Sequence, residues 1–89
     1  MTIIDQVRKV IGDAGNVRFD GNDNSGAYRL RGATVLLRRT RDGYRVAQVP
    51  RSRNHRPGQG IPDGTVLLPA VFDRDEVAHA VADLLKNPI

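Results

Sequence analysis

The chain has no cysteine and no tryptophan, and its only aromatics are Phe19, Tyr28, Tyr44 and Phe72. Without thiols, neither a disulfide nor a thiolate metal site can staple the fold, and the redox compartment stays open. With so few rings, recognition of single strands has little material, because that mode stacks successive bases on aromatic side chains. Long apolar runs are missing as well. The opening MTIIDQVRKV places Asp5 and Arg8 where a secretory signal needs its apolar run, and no segment reaches membrane length. The expected location is the cytoplasm. Histidine is scarce, with His55 and His79 alone.

What is abundant is arginine. The chain carries 14 Lys and Arg against 10 Asp and Glu, and only Lys9 and Lys86 of the 14 are lysines. From Arg29 to Gly58 there are nine arginines and a single carboxylate, Asp42. Residues 1–28 hold three basic and four acidic side chains, and residues 57–89 hold two basic and five acidic. Codon bias in a GC-rich genome raises arginine over lysine everywhere, yet it does not gather arginines into the middle third. Guanidinium is weakly hydrated and forks onto phosphate or carboxylate, whereas ammonium acts as a point charge. The clustering therefore points to an anionic partner.

A length of 89 residues makes one domain, 1–89, because single cores take roughly 50 to 200 residues. The start predicts a helix over TIIDQVRKVIGDAG, with Ile3, Val7, Val10 and Ala14 on one face and Ile4 and Ile11 beside it. Thr2 and Asp5 make an imperfect capping box, Arg8 and Lys9 suit the negative end of the dipole, and Gly12 or Gly15 ends the helix. Residues 17–19 predict a short strand, and 21–26 a polar turn. The spacing Asp20, Asn22, Asn24 resembles the opening of a calcium loop. However, Ser25 stands where that loop needs glycine, and Arg31 where it needs the bidentate glutamate.

Residues 27–31, 33–40 and 44–49 have strand composition, with RDG closing a hairpin between the last two. Gly43 admits either a two-residue type I′ turn or a three-residue turn with a bulge. The three-residue form would pair Val35 with Val49 and Leu37 with Ala47. Under either form Arg38, Arg39, Arg41 and Arg45 crowd the turn end of the hairpin. Residues 50–64, PRSRNHRPGQGIPDG, form a loop with three prolines and three glycines, expected to be mobile. TVLLPAVF predicts a short strand ended by Pro69. In DRDEVAHAVADLLKNP, Asp73 and Glu76 have capping-box spacing, and Val77, Val81, Leu84 and Leu85 form an apolar stripe. Lys86 suits the C-terminus of this helix and Pro88 stops it. The expected fold is α+β: helix, three or four antiparallel strands, helix, with both helices on one face of the sheet.

No arrangement for catalysis emerges. His55 lies between Asn54 and Arg56, with Asp63 the only acid near it in sequence to orient it. Asp75, His79 and Asp83 are spaced i, i+4, i+8, so they span about 12 Å of helix axis and cannot share one ion. No enzyme activity, metal or cofactor is expected. The order of elements resembles that of double-stranded RNA-binding domains, whose last helix starts with basic phosphate contacts; this chain has DRDE there. It also resembles HicA-type ribonuclease toxins, which carry a catalytic histidine in the sheet; SGAYRLRGATVLL has none. Both resemblances concern element order alone.

The expected function is duplex nucleic-acid binding through the arginine-rich hairpin and loop. The candidate contacts are Arg29, Arg31, Arg38, Arg39, Arg41, Arg45, Arg51, Arg53 and Arg56. The alternative is a protein-interaction module, such as a regulator or inhibitor from a mobile element, that uses the same arginines on an acidic partner. An open sheet edge also offers a route to a homodimer.

Overall fold

The computed structural model describes residues 2–12, 16–50 and 61–88. Its elements run α1 (Ile3–Ile11), β1 (Arg18–Asn22), β2 (Ser25–Leu30), β3 (Ala33–Thr40), β4 (Gly43–Val49), β5 (Val66–Leu67) and α2 (Arg74–Lys86). The five strands form one antiparallel sheet in the order β1-β2-β3-β4-β5, so each strand pairs with its sequence neighbour. The fold is α+β. The strand count corrects the expectation of three or four. Val66 and Leu67 do extend the sheet, pairing with Gln48 and Ala47.

Both helices start on the caps that their sequences carry. Thr2 Oγ1 accepts from the Asp5 N–H at 3.3 Å and donates to Asp5 Oδ2 at 2.7 Å. That hydroxyl holds the Asp5 carboxyl below its usual range, with the Thr2 backbone N–H and nearby Arg8 contributing less. Gly12 at φ 77 ends α1, its N–H reaching Arg8 O. The expected helix ran further, and Ala14 lies outside the described residues. Asp73 Oδ1 accepts from the Glu76 N–H at 3.0 Å and caps α2. Here the side chain at the third helical position is itself a carboxylate facing Asp73, which pushes the Glu76 pKa up.

The turns decide how the strands face. The expected polar turn at 21–26 is tighter than that span: Asn22 pairs with Ser25, leaving only Asp23 and Asn24 between them. Asn22 Oδ1 accepts from the Asn24 and Ser25 N–H groups at 2.8 and 3.1 Å, so one side chain ties a tight turn where composition reads as loop. Between β2 and β3, Arg31 (φ 50) and Gly32 (φ 85) are both left-handed, as a type I′ turn requires. Between β3 and β4, Thr40 pairs with Gly43, so the loop has two residues, and Leu37 meets Val46 while Leu36 meets Ala47. Arg41 and Asp42 keep negative φ, which excludes type I′; the positive φ, 145, falls on Gly43 instead.

With that register, Tyr28, Val35, Leu37, Tyr44 and Val46 share one face of the sheet by alternation. They join Ile3, Val7, Val77, Val81 and Leu85 in a single buried cluster. Phe19 stacks on Tyr28, with ring centroids 4.8 Å apart. Asp23 then binds two elements to the β1–β2 turn. Its Oδ1 accepts from the Ile3 N–H at the start of α1 (3.2 Å), and its Oδ2 pairs with Arg74 at the start of α2 (3.0 Å). Arg74 also donates to the Tyr44 hydroxyl at 3.4 Å. The radius of gyration, 11.7 Å, matches the ~12 Å that a compact chain of this length gives.

Candidate nucleic-acid interface

The arginine pattern of the sequence resolves into separate places on the sheet. Four guanidiniums gather at the turn end of the β3–β4 hairpin. Arg38 and Arg45 are direct cross-strand partners, and Arg39 pairs with Tyr44 one step nearer the turn. Arg41 stands in the turn beside Asp42. Arg38, Arg39 and Arg41 are exposed, and none of the four forms an ion pair with a carboxylate among the described residues. Like charges directly opposite on a sheet destabilise it, so this end of the hairpin holds unrelieved repulsion. Arg45 is the most constrained of the group. Its Nη2 donates to the Leu68 carbonyl at 3.2 Å, and its Nε lies buried without a hydrogen-bond partner.

Strand alternation splits the group between faces. Arg38 and Arg45 point away from the core cluster, whereas Arg39 lies on the cluster side, next to Tyr44. The end of the hairpin is therefore cationic on both faces of the sheet, flanked at its edges by Asn24 and Ser25 beside β3 and by Phe72 beside β4.

The remaining candidates do not join this tip. Arg31 occupies the β2–β3 turn, at the far end of β3, roughly 23 Å away for seven strand residues. Arg29 pairs with Asp20 at 2.6 Å, its side chain about one-quarter exposed, so much of its charge is already compensated. Arg51, Arg53 and Arg56 lie outside the described residues, as does His55. His79 is exposed on α2 with Asp75 and Asp83. Among the described residues, no group of three or more His, Cys, Asp or Glu side chains is placed to hold a metal ion. No described helix is long and apolar enough to cross a membrane.

Two features escaped the sequence reading. Arg18 pairs across strands with Arg29, so it adds a fourth arginine to the face that carries Arg29, Arg38 and Arg45. On that same face Ala27, Leu36, Ala47 and Leu67 line up as one cross-strand row. With Ile61 they form most of the apolar lining of an open hollow of about 840 Å³, bordered by Arg38 and Arg45. None of the five belongs to the buried core cluster. The alternation of VLLRR and YRVAQV carried the signal, yet only the register says which of the two alternating sets faces the helices.

No protein-family model matches the chain, and neither a curated protein nor a solved structure matches it.

Proposed function

We propose that the chain is a small, non-catalytic nucleic-acid-binding domain of the cytoplasm that grips duplex phosphates with the β3–β4 hairpin tip. In this reading both helices cover one face of the sheet and leave the tip free to enter a groove. The observation that carries it is the pairing of Arg38 directly against Arg45, with Arg39 and Arg41 adjacent and no carboxylate bonded to any of them among the described residues. Phosphates arriving at such a tip relieve its repulsion and accept forked guanidinium bonds. Arg51, Arg53 and Arg56 add three charges to the same reading. The tip bears no stacking aromatic on its solvent side, because Tyr44 is buried. This favours backbone contact over base stacking.

Titration of a 20-base-pair duplex, as DNA and as RNA, against nuclease-treated protein at several salt concentrations tests the proposal. Four engaged arginines give a log–log slope of about −3.6, and loop arginines steepen it. Arg39→Ala with Arg41→Ala should flatten the slope by about 1.8 and leave the melting temperature unchanged. No duplex binding at low salt, or a slope indifferent to these two substitutions, refutes the reading.

A further inference from the structure

The tip uses charge alone and leaves the apolar row on the neighbouring sheet face unexplained. Leu67 is 57% exposed and Ile61 70%, while Ala47 between the leucines and Ala27 beyond Leu36 are buried at the floor of the hollow. Phosphates gain nothing from leucine, so a duplex bound at the tip does not account for the row. From the geometry we infer that this face docks an acidic amphipathic helix of a partner protein, laid along the row and across the strands.

Shape and charge both select that occupant. Four strands at ~4.8 Å spacing make a row about 14 Å long, which matches roughly ten residues of helix and three apolar contacts at i, i+3 or i+4, and i+7. Alanine at two of the four positions leaves room for apolar side chains of the helix to seat over Ala27 and Ala47 beside Leu36 and Leu67. Arg38 and Arg45 stand two residues along the strands from Leu36 and Ala47, about 7 Å to one side. Arg18, exposed, flanks the other side near β1, where Arg29 is already paired with Asp20. A helix about 10 Å wide therefore lies between guanidiniums, and carboxylates bordering its apolar stripe meet them. An incoming strand would instead pair at a sheet edge and leave the row uncovered. Thr34 and Val49 are buried as well as Ala27 and Ala47, so the accessible apolar surface of this face is carried by Leu36, Leu67 and Ile61.

The inference does not rest on duplex binding, and its test is separable. The probe is a capped 18-residue peptide with leucines at i, i+4, i+7 and i+11 bordered by glutamates; its control carries lysine in place of every glutamate. Fluorescence anisotropy on nuclease-treated full-length protein should show saturable binding of the acidic peptide only. Leu67→Ala with Leu36→Ala should weaken it about tenfold, and so should Arg38→Glu, at unchanged melting temperature for the exposed Leu67 and Arg38 sites. Arg39→Ala with Arg41→Ala should leave it intact while reducing duplex affinity. Absence of saturation, equal binding of the lysine peptide, or indifference to Leu67→Ala overturns the inference. So does a concentration-dependent dimer that Leu67→Glu dissolves, which would make a second copy the occupant. Loss of duplex binding in Leu67→Ala would likewise assign the face to nucleic acid.

Discussion

Replacing Tyr28 by phenylalanine should make this protein more stable. The Tyr28 side chain is fully buried, and its hydroxyl has no hydrogen-bond partner. Burial pushes its pKa well above the ordinary value, and the nearby Asp23 carboxylate adds to the shift. A buried hydroxyl without a partner costs about 1 to 3 kcal/mol of desolvation. Removing one oxygen leaves the ring, and with it the Phe19 contact, in place. The expected gain is therefore about 1 kcal/mol, or roughly 4 to 8 °C in a domain of this size. The sign is the opposite of the usual Tyr→Phe result, in which a made hydrogen bond is lost at a cost of about 1 kcal/mol. A second signature appears in alkali. A phenol with a raised folded pKa contributes stability fully below its unfolded value near 10, and that contribution falls as pH rises beyond it. Tyr28→Phe should flatten the alkaline side of the stability profile. Urea melts at pH 7 and between pH 9 and 11 measure both effects. A loss of 0.5 kcal/mol or more at pH 7 would show that the hydroxyl is satisfied and refute the argument.

Four further predictions rest on separate contacts. Gly43→Ala should destabilise by several kcal/mol, since φ is 145 and an added Cβ would stand 2.6 Å from the Phe72 carbonyl oxygen; a neutral result in a thermal melt would mean that the turn rearranges freely. Asp23→Ala should cost about 1 to 3 kcal/mol by orphaning the Ile3 N–H and the Arg74 pair, and a double-mutant cycle with Arg74→Ala should return a coupling that vanishes if the two do not interact. Asp73→Ala should cost about 1 kcal/mol through the α2 cap. Leu84→Ala should cost roughly 2 to 5 kcal/mol because Leu84 is 9% exposed; denaturant melts showing no loss at Leu84 would place the α2 stripe outside the core.

Elements governed by near neighbours were legible in the chain. The Thr2–Asp5 and Asp73–Glu76 spacings, three residues apart, put the helix starts where the structure has them, because a cap is made by groups within one turn. The Val77, Val81, Leu85 stripe follows from the helical repeat. The crowding of Arg38, Arg39, Arg41 and Arg45 at one hairpin end needed only the position of the turn. The polar turn between β1 and β2 was legible too, but not its two-residue tightness, because one side chain, Asn22, closes it.

Tertiary structure alone decided the faces. Alternation along a strand divides its side chains into two sets without saying which set meets the core, and a slip of one residue exchanges them. Pairing Thr40 with Gly43 set Leu37 against Val46 in the core and put Leu36 and Ala47 side by side on the opposite face. The same register put Arg38 opposite Arg45, while β1–β2 pairing added Arg18 to that face and tied Arg29 to Asp20. Asp23 reaches Ile3 and Arg74 across 20 and 51 residues of chain, a separation no local pattern encodes. Composition thus determined that the middle of the chain is strongly basic. Which arginines share a surface, and which are neutralised, follows from strand register, because contacts between distant residues exist only once the sheet has formed.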